Sequence, residues 1–299
     1  MISRTLCLLL TMLPLLLQYC CSHPSLIEGT RVVVSIEPLA YFAERIGGSH
    51  VSVSVMVPPG GNPHSYEPTP KQIAGLSGAS LFIRAGSGVE FELDWMPRML
   101  SLYPGLRVCD ASESVKLIPM APEEKDGHDG HVKAHHHGRY DPHYWLSPEN
   151  GIVMARNIER ALRTADPSHA ADYAASAAGL ITELKALSEE IRTELSPVRN
   201  RRFLVFHPAW GYYAAEFGLE QLAAEEEGKT LTPRQIQRII ETARSNGIRV
   251  IFVSPQFSSV QAEAIARDIG GVTRVVDPLA RDYQENLRRA TESFSGAMR

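Results

Sequence analysis

Cysteine is scarce in this chain: four residues in 299, with Cys7, Cys20 and Cys21 near the start and Cys109 alone beyond them. Three other things are missing. Charge of one sign is not in excess, since 30 Lys and Arg against 34 Asp and Glu leave a net charge of −4, which argues against a nucleic-acid-binding surface. There is no apolar run of the roughly 20 residues that a membrane-spanning helix needs. The motifs HExxH, GxSxG and a Gly-rich phosphate loop are absent, which removes the common signatures of zinc proteases, α/β hydrolases and nucleotide hydrolases.

The one apolar run present, Leu6 to Leu17, is twelve residues long, follows Arg4 and is succeeded by polar residues. This is the pattern of a cleaved secretory signal over residues 1–22, with Cys20 and Ser22 as the small residues before the cut. A retained anchor is disfavoured by the run's length. Lipid attachment at Cys20 or Cys21 is disfavoured by the bulk of Gln18 and Tyr19. Removal of the leader leaves only Cys109, so no disulfide can form within the chain. Packing and any bound ligand must hold it together.

What the chain has in plenty is histidine in one place. Asp126 to Gly138 reads "DGHDGHVKAHHHG" and holds five of the eleven histidines, His128, His131, His135, His136 and His137. Its Gly, Asp and Lys residues offer nothing to bury, so it reads as a surface loop able to capture a transition metal weakly.

Elsewhere short Val-rich strands alternate with helical segments: "RVVVSI", "VSVSVMV", "ASLFIRA" and "LRVCD" in the first half, with "TPKQIAGLSG" among the helices. The alternation restarts after Arg202 with "RFLVFH", residues Gly218 to Ala224, "TPRQIQRIIETARSNG", "IRVIFVS", "VQAEAIARDIGG" and "TRVVD". Alternating strand and helix imply parallel sheets. The division expected is an N-terminal α/β lobe over residues 31–164, a linking helix over 165–197 and a C-terminal α/β lobe over 198–299. In the linker, Asp166 is placed to cap, Pro167 suits the first turn and Pro197 marks the end. Leu180, Leu184, Leu187, Ile191 and Leu195 recur along one face, predicting a helix of about 30 residues and about 45 Å.

Four residues flanked by rigid structure stand apart from the loop. His64 lies in "GGNPHSYEP" after the second strand, His143 in "DPHYWLSPEN", His207 closes "FLVF", and Asp277 closes "TRVV". This reading expects all four at or just past the carboxyl ends of strands, where open parallel sheets place ligands, with two from each lobe. Taken singly, a His or Asp beside Pro is more often a turn or cap residue. Together, three imidazoles and a carboxylate match the N and O preference of Zn²⁺ and fill a tetrahedron. A filled tetrahedron leaves no position for activated water, so the arrangement holds a metal and is not that of an enzyme.

The pieces "VPPGGNPHSYEPTPKQIAGLSGASLFIRAGSGVE", "DPHYWLSPEN", "FHPAWGYYAAEFGLEQLA", "IRVIFVSPQFSS" and "VVDPL", in that order, resemble the zinc- and manganese-binding solute-binding proteins of ABC importers, and among them the zinc-binding, ZnuA-type branch. The resemblance covers nearly the whole chain beyond the leader. It implies two Rossmann-like lobes with parallel sheets joined by a long rigid helix, and a metal site in the cleft between them. It also implies that His64, His143, His207 and Asp277 are the ligands and that the cargo is Zn²⁺. The ion would be captured in the periplasm by a monomer and delivered to a membrane permease with its cytoplasmic ATPase.

Manganese-binding relatives carry a carboxylate at the position of His207, so a histidine there favours zinc. Ser147 and Ala280 stand where many relatives have Asp and Gly, which leaves the surroundings of two ligands open. Zinc-specific relatives often carry a His-rich loop between the first two metal histidines, where this one lies. Glu90 reads as a helix-start carboxylate in preference to a group standing behind a ligand. Trp145, Tyr212 and Tyr213 suit the walls of a dry site or ordinary core equally. The alternatives weighed are a carrier of manganese or another divalent metal, a metallohydrolase whose fourth position opens on substrate binding, and a metal-dependent surface adhesin.

Overall fold

The computed structural model describes residues 29–120, 139–225 and 230–299. The expected signal segment and all five loop histidines lie outside them. The first lobe is built from β1 (Thr30–Val34), α1 (Glu37–Gly47), β2 (Val51–Val55), α2 (Pro70–Gly75), β3 (Leu81–Arg84), α3 (Glu90–Leu102), β4 (Arg107–Asp110) and α4 (Pro148–Ala165). Then comes α5 (Ala170–Leu195). The second lobe holds β5 (Arg202–Val205), α6 (Gly211–Phe217), β6 (Glu220–Ala223), α7 (Pro233–Ser245), β7 (Val250–Val253), α8 (Val260–Asp268), β8 (Val272–Val275) and α9 (Tyr283–Met298).

Each lobe has a four-stranded parallel sheet, in the orders β2-β1-β3-β4 and β6-β5-β7-β8, so the two lobes repeat one topology. The repetition reaches into local sequence. "TPKQ" and "TPRQ" open α2 and α7, the helices that occupy equivalent places. In both, the threonine side chain accepts from the N–H three residues on while the glutamine reaches back to the threonine N–H. Each capping box satisfies two amide groups that a helix start leaves unpaired, and proline adds a preset φ at the first helical position. At the far end of α6, Gly218 adopts a left-handed φ of 66° that ends the helix at no steric cost.

The linking helix is α5, of 26 residues and so about 39 Å. It is shorter than the sequence suggests because the Asp166 carboxylate accepts from the Ser168 N–H, from His169 Nδ1 and from the Tyr173 hydroxyl. These bonds hold residues 167–169 in a 3-10 turn, and regular helix begins at Ala170. Leu180, Leu184, Leu187, Ile191 and Leu195 are all buried, as their spacing predicts. That face packs against α1 and α4 from the first lobe and α6 and α9 from the second.

One apolar core therefore runs through both lobes. It includes Val34, Phe82, Ile83 and Ile158, the buried face of α5, and Phe203, Phe252 and Phe294. Strand alternation sends the other side of the second sheet into a separate cluster: Leu204, Ile251 and Val253 pack on Ile239 and Ile240 of α7 and Ile265 of α8. No helix among the described residues is long and apolar enough to cross a membrane.

Candidate metal centre

The residues singled out from sequence approach the site differently: His207 and Asp277 lie two residues past β5 and β8, His64 lies nine past β2, and His143 leads into the 3-10 turn before α4. Asn62 accepts the His64 N–H at 3.0 Å, a tight turn that sets His64 after β2. Asp141 does the same for the His143 N–H at 2.9 Å. His207 lies two residues past β5, after its chain has paired through Phe206 N–H to the Phe252 carbonyl. Local turns and a strand end, which are stiffer than open loop, thus set the direction of three imidazoles.

Among the described residues, one group of His, Cys, Asp or Glu side chains could hold a metal ion. It consists of His64, His143 and His207, whose ligand atoms lie within 4.8 Å of one another. Behind every one stands a carboxylate. Glu90 Oε2 lies 2.7 Å from His64 Nδ1, Asp141 Oδ1 lies 2.8 Å from His143 Nδ1, and Glu225 Oε1 lies 2.6 Å from His207 Nδ1. An ionised carboxylate accepts only, so such a pairing favours the tautomer in which Nδ1 carries the proton and Nε2 is left with a lone pair for a metal.

The Nε2 atoms of His143 and His207 stand 3.4 Å apart. Two lone pairs at that distance repel unless a cation lies between them. With Zn–N bonds of about 2.05 Å, the nitrogens of a tetrahedron are separated by about 3.3 Å. The spacing present is that of a zinc tetrahedron's edge.

Aromatic rings stand against two of the three imidazoles. Trp145, fully buried, sets its edge against the His143 ring, with centroids 5.4 Å apart, and donates its indole N–H to the Pro278 carbonyl. Phe257 stacks on His207 at 4.3 Å. Burial, followed by the proximity of His143 and His64, pushes the His207 pKa well below its ordinary value. His207 is therefore held neutral and ready to ligate.

Asp277 is not part of the three-histidine group. Its Oδ1 accepts from Gln256 Nε2 at 2.7 Å and from the Leu279 N–H at 2.9 Å. Glu90 begins α3, as a helix-start carboxylate would, but it also bonds His64, the role given second place from sequence. Trp145 is a wall of the site. Tyr212 instead holds the backbone behind it, donating its hydroxyl to the Asp141 carbonyl at 2.8 Å. Tyr213 belongs to the core, bonded to Thr291 and packed on Phe217 and Phe294. Ser147 caps α4 and donates to Glu216 Oε2 across the lobe boundary.

Sequence reasoning missed Asp141, Glu225, Gln256 and Phe257. The strand register would have located one of them: β5 and β6 pair Val205 with Ala223 in parallel, and two more residues along each strand arrive at His207 and Glu225.

The chain belongs to the family described as the zinc-uptake complex component A, periplasmic, whose model matches residues 32–297. It is 27% identical over 300 residues to the zinc-binding lipoprotein AdcA of Streptococcus pneumoniae serotype 4. That match covers 99% of this chain and 59% of the relative, so the chain spans about three-fifths of the relative's length. A crystal structure of ZnuA superposes with a TM-score of 0.83 at 34% identity, covering 91% of this chain and 100% of the other. A ZnuA deletion mutant with zinc bound superposes with a TM-score of 0.81 at 34% identity, covering 90% and 98%.

Proposed function

We propose that this protein captures Zn²⁺ in the periplasm and delivers it to the permease of an ABC importer driven by a cytoplasmic ATPase. His64, His143, His207 and Asp277 serve as ligands, with residues 31–164 and 198–299 acting as the two lobes and 165–197 as the link. The observation that carries the reading is the convergence of three imidazoles, each ring bonded to its own carboxylate, with ligand atoms within 4.8 Å of one another and the His143 and His207 Nε2 atoms at the spacing of a zinc tetrahedron's edge. Zinc-binding relatives and a zinc-bound neighbour support the choice of metal.

In this reading the Nδ1 protons stay on the rings and zinc meets lone pairs already aimed at it. The carboxylates raise the basicity of the rings and hold their orientation, so little conformational freedom is lost on binding. Borderline-soft nitrogen favours Zn²⁺ over Mn²⁺, which prefers oxygen. The histidines of residues 126–138, in a stretch whose Gly, Asp and Lys offer nothing to bury, gather zinc more weakly and pass it to the cleft. The protein acts as a monomer and performs no catalysis.

Thermal unfolding of the chelator-stripped protein with and without zinc tests the proposal. Binding stabilises the native state by RT ln(1 + [L]/Kd), so zinc at about 1,000 times Kd adds about 4 kcal/mol. Alanine at His143 should abolish the shift. A parent protein whose unfolding ignores zinc would refute the site.

A further inference from the structure

Gln256 lies three residues past β7, beside Phe257 and next to the end of β8 that carries Asp277. Its Nε2 donates to Asp277 Oδ1 at 2.7 Å. Its own Oε1 is buried, and no donor among the described residues reaches it. A buried acceptor without a donor destabilises a fold. Reversing the amide would not relieve it, because Oε1 would then face the Asp277 carboxylate, oxygen against oxygen. The amide is therefore fixed in one sense by Asp277, at a standing cost to the fold. Costs of that kind collect where function needs them.

The contact decides what Asp277 can offer a metal. Oδ1 already takes two hydrogen bonds, from Gln256 and from the Leu279 N–H, and Oδ2 takes none from the described residues. A carboxylate with one oxygen occupied in this way binds through the other. The geometry points to Gln256 as a positioning residue that makes Asp277 a one-oxygen ligand, holding the cleft at three nitrogens and one oxygen and thereby favouring four-coordinate Zn²⁺ over Mn²⁺, which takes more oxygens. This rests on the reading of Asp277 as the fourth ligand. Four ligands close a zinc tetrahedron, whereas a carboxylate free to bind through both oxygens would supply a fifth and open the site to metals of higher coordination number.

Gln256→Met separates this role from a structural one. Methionine is close to glutamine in length and shape, removes the donor to Asp277 and removes the unpartnered oxygen. Without metal, the variant should unfold at the parent's temperature or above it. Its zinc affinity in competition titrations should fall by about 10- to 100-fold, the usual effect of losing a group that orients a ligand. Manganese affinity should change less, so the preference for zinc narrows. With Co²⁺ in the cleft, the strong visible absorption of four-coordinate cobalt should weaken as a fifth oxygen enters. Gln256→Ala should repeat the metal results if methionine disturbs the packing. An unchanged zinc-to-manganese ratio and cobalt spectrum in both variants, while Asp277→Ala still weakens zinc binding, would overturn the role of Gln256 alone. If Asp277→Ala leaves zinc affinity untouched, the fourth-ligand reading fails and the inference falls with it.

Discussion

His143 and His207 present their Nε2 atoms to each other at 3.4 Å, one from each lobe. Each ring is held in place by its own carboxylate, Asp141 or Glu225. Two neutral acceptors at that distance repel, whereas a cation between them would bind both, so on the proposed reading zinc should strengthen the contact between the lobes.

The carboxylates behind the rings should matter almost as much as the rings. Glu225→Gln keeps the size of the group but can leave His207 in the wrong tautomer. Zinc affinity should fall by about 10- to 100-fold, equivalent to about 1.4–2.8 kcal/mol, with Asp141→Asn behaving alike. Competition titration against a chromogenic chelator measures both.

His207→Glu should narrow the preference for zinc over manganese, since a hard oxygen replaces a borderline nitrogen. The structure adds a condition. Glu225, 2.6 Å from the ring it now supports, would face a like charge, so the variant should be less stable without metal and should recover with it. Unfolding temperatures measured with and without Mn²⁺, beside the competition ratio, check both parts.

Acid should weaken the metal-free protein through His207. Its folded pKa lies well below the ordinary histidine value because burial disfavours the charged ring. As pH falls through about 6.5 the unfolded chain takes up the proton first, so stability is lost from there down toward the folded pKa. Glu92 and Glu216, whose pKa values burial raises, act with the opposite sign: their contribution is present at low pH and is lost as pH rises. The difference between the parent and His207→Gln across pH therefore isolates the histidine, and the variant's curve should be the flatter below about pH 6.5.

Leu184 is fully buried at the middle of α5, in the core common to both lobes. Leu184→Ala should cost about 2–5 kcal/mol. Because that core is continuous, chemical denaturation should show both lobes weakened together in one transition. Two separated transitions would mean that the lobes are held independently.

Much of this was legible in the sequence because the signals are local. Strand-helix alternation gave the two α/β lobes, and the five apolar residues of the linking helix are buried as their spacing requires. His207 and Asp277 lie two residues past β5 and β8 as their sequence placement suggests, whereas His64 lies nine residues past β2 and His143 follows no strand, leading instead into the 3-10 turn before α4. What could not be read depends on contacts between distant segments. Glu225 meets His207 through strand register, Asp141 serves a ring two residues away only because Tyr212 and a tight turn hold it there, and Gln256 looks like any polar loop residue until β7 and β8 are side by side. At the start of the linking helix the side-chain bonds of Asp166 favour a 3-10 turn over Pro167–His169 before regular helix begins at Ala170, a competition that spacing alone does not display.

The central claim is that the tight site is the cleft and not the His-rich segment, and one measurement bears on it most directly. The protein lacking residues 126–138 is stripped with chelator and titrated with zinc in competition with manganese. One tight zinc-preferring site should remain, with the weaker sites gone. Loss of the tight site together with the segment would contradict the account and would make the loop histidines the primary binding element.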